Sequence, residues 1–141
     1  MNKFSIKNTA SQKGKVAIVT GANDGVGFET SFGLVSKGAS LIMACRNLQK
    51  AESAKAKILK QFPDADVSII LLDLNSLESV KEFADNFKEN HSTLDILVNN
   101  AGIMVPPLNK TKEDFESQMG VNYFAHFLLT GLLMKELNAA E

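Results

Sequence analysis

Three glycines, Gly21, Gly25 and Gly27, follow directly on the apolar run Val16-Ala17-Ile18-Val19. The chemistry open to such a stretch is anion binding by main-chain N–H groups. The run is apolar and largely β-branched, as a buried strand is, and the glycines bare the backbone where a helix begins. Gly21 permits a tight exit from the strand, Gly25 lets a diphosphate approach the main chain, and Gly27 lets the helix pack close to the sheet. The turn also contains Asn23, Asp24 and Val26. Its N–H groups lie at the positive end of a helix dipole, which suits a pyrophosphate without a lysine in the loop. No Gly-Lys-Ser/Thr follows, so a P-loop is excluded.

About 20 residues further on, a dinucleotide fold meets its adenosine ribose at the end of the second strand. Here that position reads Cys45-Arg46-Asn47. An acidic residue would accept from the ribose 2′-hydroxyl, whereas an arginine in its absence suits a 2′-phosphate. NADP is therefore favoured over NAD. Other reactive side chains carry weaker patterns. The single tyrosine, Tyr123, has Phe127 four residues on and His126 three residues on. No lysine is placed to lower its pKa, and it reads as a packing residue. His91 and His126 lack Cys, His or carboxylate partners at metal-ligand spacing, so both read as surface or packing residues and no metal site is expected. Cys45 has no CxxC partner or base beside it.

The elements that must hold these residues follow in order. Residues Met1 to Lys13 are polar and without period, which predicts a loose N-terminal arm, and the dinucleotide-binding unit runs from Gly14 to Glu141. Apolar Phe28, Phe32, Leu34 and Val35 predict a short helix ending at Gly38. Ala39 to Ala44 is a second strand, Asn47 caps a helix that continues to about Phe62, and Val67 to Leu72 is a third strand. Asn75-Ser76-Leu77-Glu78 resembles a capping box, opening a helix with Leu77, Val80, Ala84 and Phe87 inward. Leu94 to Val98 is a fourth strand, left by Asn99-Asn100-Ala101-Gly102. Pro106-Pro107 makes an extended loop, and Thr111 with Asp114 opens the last helical region. Strands this apolar, alternating with helices, predict an α/β Rossmann-like, doubly wound parallel sheet with about four strands in the order 3-2-1-4. The ligand crevice then falls between the first and fourth strands. In that order the fourth strand is an edge with no lysine, proline or glycine to blunt it, which predicts self-association.

At 141 residues the chain fits one domain. Its net charge of −1, with both signs interspersed, argues against nucleic acid as a partner. A single cysteine and no export signal make a reducing cytoplasm the expected location. No apolar run approaches the ~18 residues of a spanning helix, so no membrane partner is expected.

From about Gly14 onward the chain resembles the N-terminal part of a short-chain dehydrogenase/reductase. Thr20-Gly21-Ala22-Asn23-Asp24-Gly25-Val26-Gly27 fits that family's Thr-Gly-x-x-x-Gly-x-Gly, and Asn99-Asn100-Ala101-Gly102 fits its Asn-Asn-Ala-Gly. Ala44-Cys45-Arg46-Asn47, with Asn100 to Met104 and Pro106-Pro107, is similar to the branch holding retinol dehydrogenases and the WW-domain oxidoreductase. The resemblance implies that Asp73 with Leu74 meets the adenine and that Asn100, Ala101 and Gly102 line the ribose side. It also implies that Asn122 offers its main-chain carbonyl to a water in a proton relay. The family's catalytic serine and Tyr-x-x-x-Lys pair are not in these 141 residues. A small carbonyl or alcohol substrate is thus expected only for a complete version, and a non-catalytic nucleotide-binding or interaction module is the alternative.

Overall fold

A computed structural model describes residues 5–140. Residues 1–4 of the expected arm, and Glu141, lie outside the described residues. Four strands, β1 (Val16–Thr20), β2 (Ser40–Cys45), β3 (Val67–Leu71) and β4 (Ile96–Val98), make one parallel sheet in the order β3-β2-β1-β4. The register sets Ile18 beside Ile42 on one side and Leu97 on the other.

Helices cover both faces. Met43, Leu41 and Val19 pack beneath α1 (Gly25–Ser36) and α2 (Leu48–Gln61), which contribute Val35, Ala51, Ala54 and Ile58. On the other face Ile18, Ile42 and Ala44 meet α3 (Leu77–Asn90), through Val80, Phe83, Ala84 and Phe87, and α5 (Ala125–Leu132), through Ala125 and Leu129. The two inner strands are almost wholly buried, while β3 and β4 are half-covered. Ile96 and Val98 are only partly buried, on an edge strand that pairs with β1 alone among the described residues.

Local capping follows the sequence at α2, where the Asn47 side chain accepts from the Lys50 N–H at 2.9 Å. Phe28, Phe32 and Leu34 of α1 are only partly buried and Gly33 meets Ile6 of the arm, while Gly27, Ser31 and Val35, four residues apart, make the sheet-facing side. Small residues win there because the helix lies too close to the strands for rings. Two expectations need correction. At α3 the N-cap is Ser76 rather than Asn75, its hydroxyl accepting the Ser79 N–H; the Asn75 N–H goes to Asp73 rather than to Glu78, and Glu113 takes the Leu77 N–H at 2.8 Å. The last helical region opens later than Thr111. A bridge between Lys110 and Glu116 folds that segment back, and α4 (Ser117–Met119) starts on the Glu116 carboxylate.

A π-type turn (Gly120–Phe124) joins α4 to α5, and α6 (Met134–Asn138) follows. Before β1, the Gln12 N–H donates to Lys37 O and Ile6 abuts Gly33, so the described part of the arm lies against α1. Asp95 joins β1 to β4 by accepting the Val16 N–H at 2.8 Å and pairing with Lys15. That main-chain bond, with Lys15 adding to it, holds the Asp95 carboxyl below the usual carboxylate range. Among the described residues no helix is long and apolar enough to cross a membrane.

Candidate functional site

At the carboxyl ends of β1, β2 and β4 the chain leaves a cleft of about 930 Å³. Its floor is built around Thr20, the last residue of β1. The Thr20 hydroxyl accepts the N–H groups of Asn100 and Ala101, each at 2.9 Å, and the Asn100 side chain donates back to the Thr20 carbonyl at 2.9 Å. The exits of β1 and β4 are thereby locked side by side.

The glycine turn forms one wall. Asp24 caps α1 by accepting the Gly25 N–H at 2.8 Å, and the Phe28 N–H takes the Asp24 carbonyl. The N–H groups of Val26 and Gly27 are left without an intrahelical acceptor, as the first turn of a helix requires. Gly25 has a left-handed φ of +51° and open space where a side chain would start. Gly27 serves close approach instead: a methyl there would lie 2.5 Å from Asn100 Nδ2.

Cys45, Arg46 and Asn47 form the wall at the end of β2. Cys45 is buried and burial pushes its thiol up, opposed by hydrogen bonds from the main chain at Ala22 and Asn23. Arg46 is exposed and, among the described residues, has no ion-pair partner. The third wall carries Asp73 and Leu74. One Asp73 oxygen accepts the Asn75 N–H at 3.0 Å, so this aspartate also shapes the approach to α3. Leu74 is buried.

All twelve of the fourteen expected site residues other than Gly25 and Asn122 are brought to the cleft lining, and Gly25 lies between two of them. Asn122 stands behind it. Its side chain accepts the Ile103 N–H and donates to the Ile103 carbonyl, both at 2.8 Å, bracing the Asn100–Ile103 stretch. Its main-chain carbonyl faces His126 Nδ1 at 3.2 Å.

Sequence reasoning missed Lys50, which lines the same wall as Arg46 and also has no ion pair among the described residues. Its signal was its place in the first turn of α2, three residues after the cap. Tyr123, read as a packing residue, is instead 55% exposed and turned toward Phe127, itself exposed.

A switch-point cleft with backbone donors on one side and cations on another has the form of a dinucleotide site. Comparison with known proteins decides the family. The model of the short chain dehydrogenase family matches residues 15–141.

The chain belongs to the short-chain dehydrogenase family.

It is 43% identical over 127 residues to human retinol dehydrogenase 12, covering 90% of this chain and 40% of that protein. Against human retinol dehydrogenase 13 the identity is 45%, covering 90% of this chain and 38% of the relative. The chain thus spans about 40% of the length of these curated relatives.

Among solved structures, an uncharacterised protein from Mycobacterium paratuberculosis superposes with a TM-score of 0.83 at 38% identity, covering 94% of this chain and 46% of its own. A short chain dehydrogenase from Escherichia coli CFT073, complexed with NADPH, superposes at 0.78 with 27% identity, covering 92% of this chain and 55% of its own. The family binds a nicotinamide dinucleotide, and the donor set of this cleft fits one.

Proposed function

We propose that this chain is the cofactor-binding portion of an NADP-dependent oxidoreductase that interconverts alcohols and carbonyl compounds. The observation that carries the NADP assignment is the pair of cations, Arg46 and Lys50, without an ion-pair partner among the described residues, on the wall where an acid would otherwise meet the ribose. Bound there, the dinucleotide would give a hydride in carbonyl reduction and take one in alcohol oxidation. The residues of this chain hold and orient it: Val26 and Gly27 N–H groups toward the diphosphate, Asp73 and Leu74 toward the adenine, and Asn100 to Gly102 along the ribose side.

Proton transfer needs a donor tuned near working pH. Tyr123 is flanked by Phe124 and Phe127 rather than a lysine. That favours a second reading for the 141 residues by themselves, a nucleotide-binding module without turnover.

Titration calorimetry tests the cofactor. NADPH should bind more tightly than NADH, and Arg46→Ala should remove about 1.5–3 kcal/mol of that preference, as expected for a charge-assisted bond to phosphate. Equal affinities, or a preference that survives the substitution, would overturn the assignment. The turnover question is settled by assaying aldehydes, ketones and alcohols with NADPH or NADP. No rate above background is expected, and a rate lost in Tyr123→Phe would refute the second reading.

A further inference from the structure

His126 is buried between two elements that the cofactor reading treats separately. From α5 its Nε2 lies 3.0 Å from the Thr20 hydroxyl and its Nδ1 lies 3.2 Å from the Asn122 carbonyl. A carbonyl oxygen only accepts, so Nδ1 carries the proton of this contact. In the neutral ring Nε2 then presents a lone pair.

The Thr20 hydroxyl leads to the same assignment independently. Its two lone pairs are engaged by the N–H groups of Asn100 and Ala101. Its own proton has two acceptors in reach, His126 Nε2 at 3.0 Å and the Val98 carbonyl at 3.4 Å, and the nearer is the bare nitrogen. The opposite tautomer fails on both sides. It would bring a third donor to an oxygen with no lone pair left, and it would set the Nδ1 lone pair against the Asn122 carbonyl. A doubly protonated ring repeats the first fault. The groups that contact the ring, Thr20 from β1 and Asn122 from the π-type turn, are uncharged, and so is Thr130, which bonds the His126 carbonyl from α5 itself.

We propose that His126 is a positioning residue: as the neutral Nδ1–H tautomer it fixes the direction of the Thr20 hydroxyl and so holds the Asn100-Ala101 turn that lines the cleft. One helical segment then braces this turn twice, directly through the Asn122 side chain on Ile103 and indirectly through His126 and Thr20. The inference concerns the floor of the cleft and stands whether or not NADP is the ligand.

Nitrogen NMR of the chain labelled with 15N-histidine reads the tautomer, with His91→Gln assigning the signals. At neutral pH the His126 ring should show a protonated Nδ1 and a bare Nε2. Amide hydrogen exchange supplies the second readout. His126→Gln keeps a side-chain oxygen able to accept the Thr20 hydroxyl and should preserve protection at Asn100 and Ala101. His126→Leu should speed their exchange roughly tenfold, as loss of one hydrogen bond implies. Should His126→Leu fail to fold, the tautomer and the His126→Gln result decide.

A protonated Nε2 at neutral pH overturns the proposal. So does unchanged protection in a folded His126→Leu, or lost protection in His126→Gln. Failure of the wild-type chain to bind NADPH would count against the cofactor reading and leave these readouts unaffected.

Discussion

Alanine at Gly27 and alanine at Gly25 add the same methyl group two residues apart, and the structure assigns them different penalties. At Gly27 the methyl would meet the Gly21 carbonyl oxygen, lie 2.9 Å from the Gly21 carbonyl carbon and lie 2.5 Å from Asn100 Nδ2. Ordinary heavy-atom contacts are about 3.5–4.0 Å, so α1 must move off the sheet by roughly 1 Å. The neighbours cannot yield cheaply, because two are main chain and the third donates to the Thr20 carbonyl. Overpacking of this kind costs about 1–3 kcal/mol. Loss of the Asn100–Thr20 bond adds about 1 kcal/mol.

Gly25 has nothing within 4 Å of its added methyl, and its penalty is the left-handed backbone alone, about 1–2 kcal/mol. Urea unfolding followed by circular dichroism should therefore rank the wild type above Gly25→Ala, and Gly25→Ala above Gly27→Ala. The Gly27→Ala midpoint should fall by roughly 1–2 M for an ordinary urea dependence. Gly25→Ala should instead lose dinucleotide affinity out of proportion to its stability, since its methyl points into open space at the mouth of the helix. A Gly27→Ala protein that melts with or above Gly25→Ala would refute the close-approach reasoning.

Asp24 places a carboxylate at the helix end where a diphosphate would sit, so Asp24→Asn should tighten NADPH binding about two- to fivefold at low salt, with the gain fading as salt screens it. Burial depresses the His126 pKa below its ordinary value of 6.5, against a smaller upward pull from the Asn122 carbonyl. The unfolded chain then binds more protons than the folded one in the window beneath 6.5, so the His126 contribution is intact above that pH and is lost as the pH falls through the window. Thermal melts between pH 7 and 5 should show this decline in the wild type and a flatter profile in His126→Gln. We also propose that the open side of β4 makes the purified chain self-associate; sedimentation at tens of micromolar showing a monodisperse, cooperatively melting monomer would disprove it.

Much of this architecture was legible in the residues. Runs such as Val16 to Val19 and Leu41 to Ala44 have no wet face, which leaves a parallel sheet covered on both sides as the arrangement that buries them. Asn47 could be read as a cap because its bond is local, reaching only to Lys50. What escaped depended on distant partners. Phe28 and Phe32 announce α1 as a helix, but the closeness of Gly27 to Gly21, which reserves the sheet-facing side for small residues, has no local signal in them. Thr111 looked like a helix start, yet its N–H is drawn to the Phe115 carbonyl and the helix waits for Glu116. His126 offered no local pattern at all, since its meaning lies in a hydroxyl 106 positions earlier.

The pairing of Thr20 with Asn100 spans 80 positions, and the clamp of Asp95 on Val16 spans 79. On a ribosome β1 emerges well before its β4 neighbour and the turn that closes the cleft floor. Non-local contacts of this kind form only after the intervening chain has been confined. The nascent chain can pair β1 with β2 early, yet one long side of its central strand stays open until about residue 100 has been released. The cleft floor therefore closes only when Thr20 gains Asn100 and Ala101, the partners whose N–H groups its hydroxyl accepts.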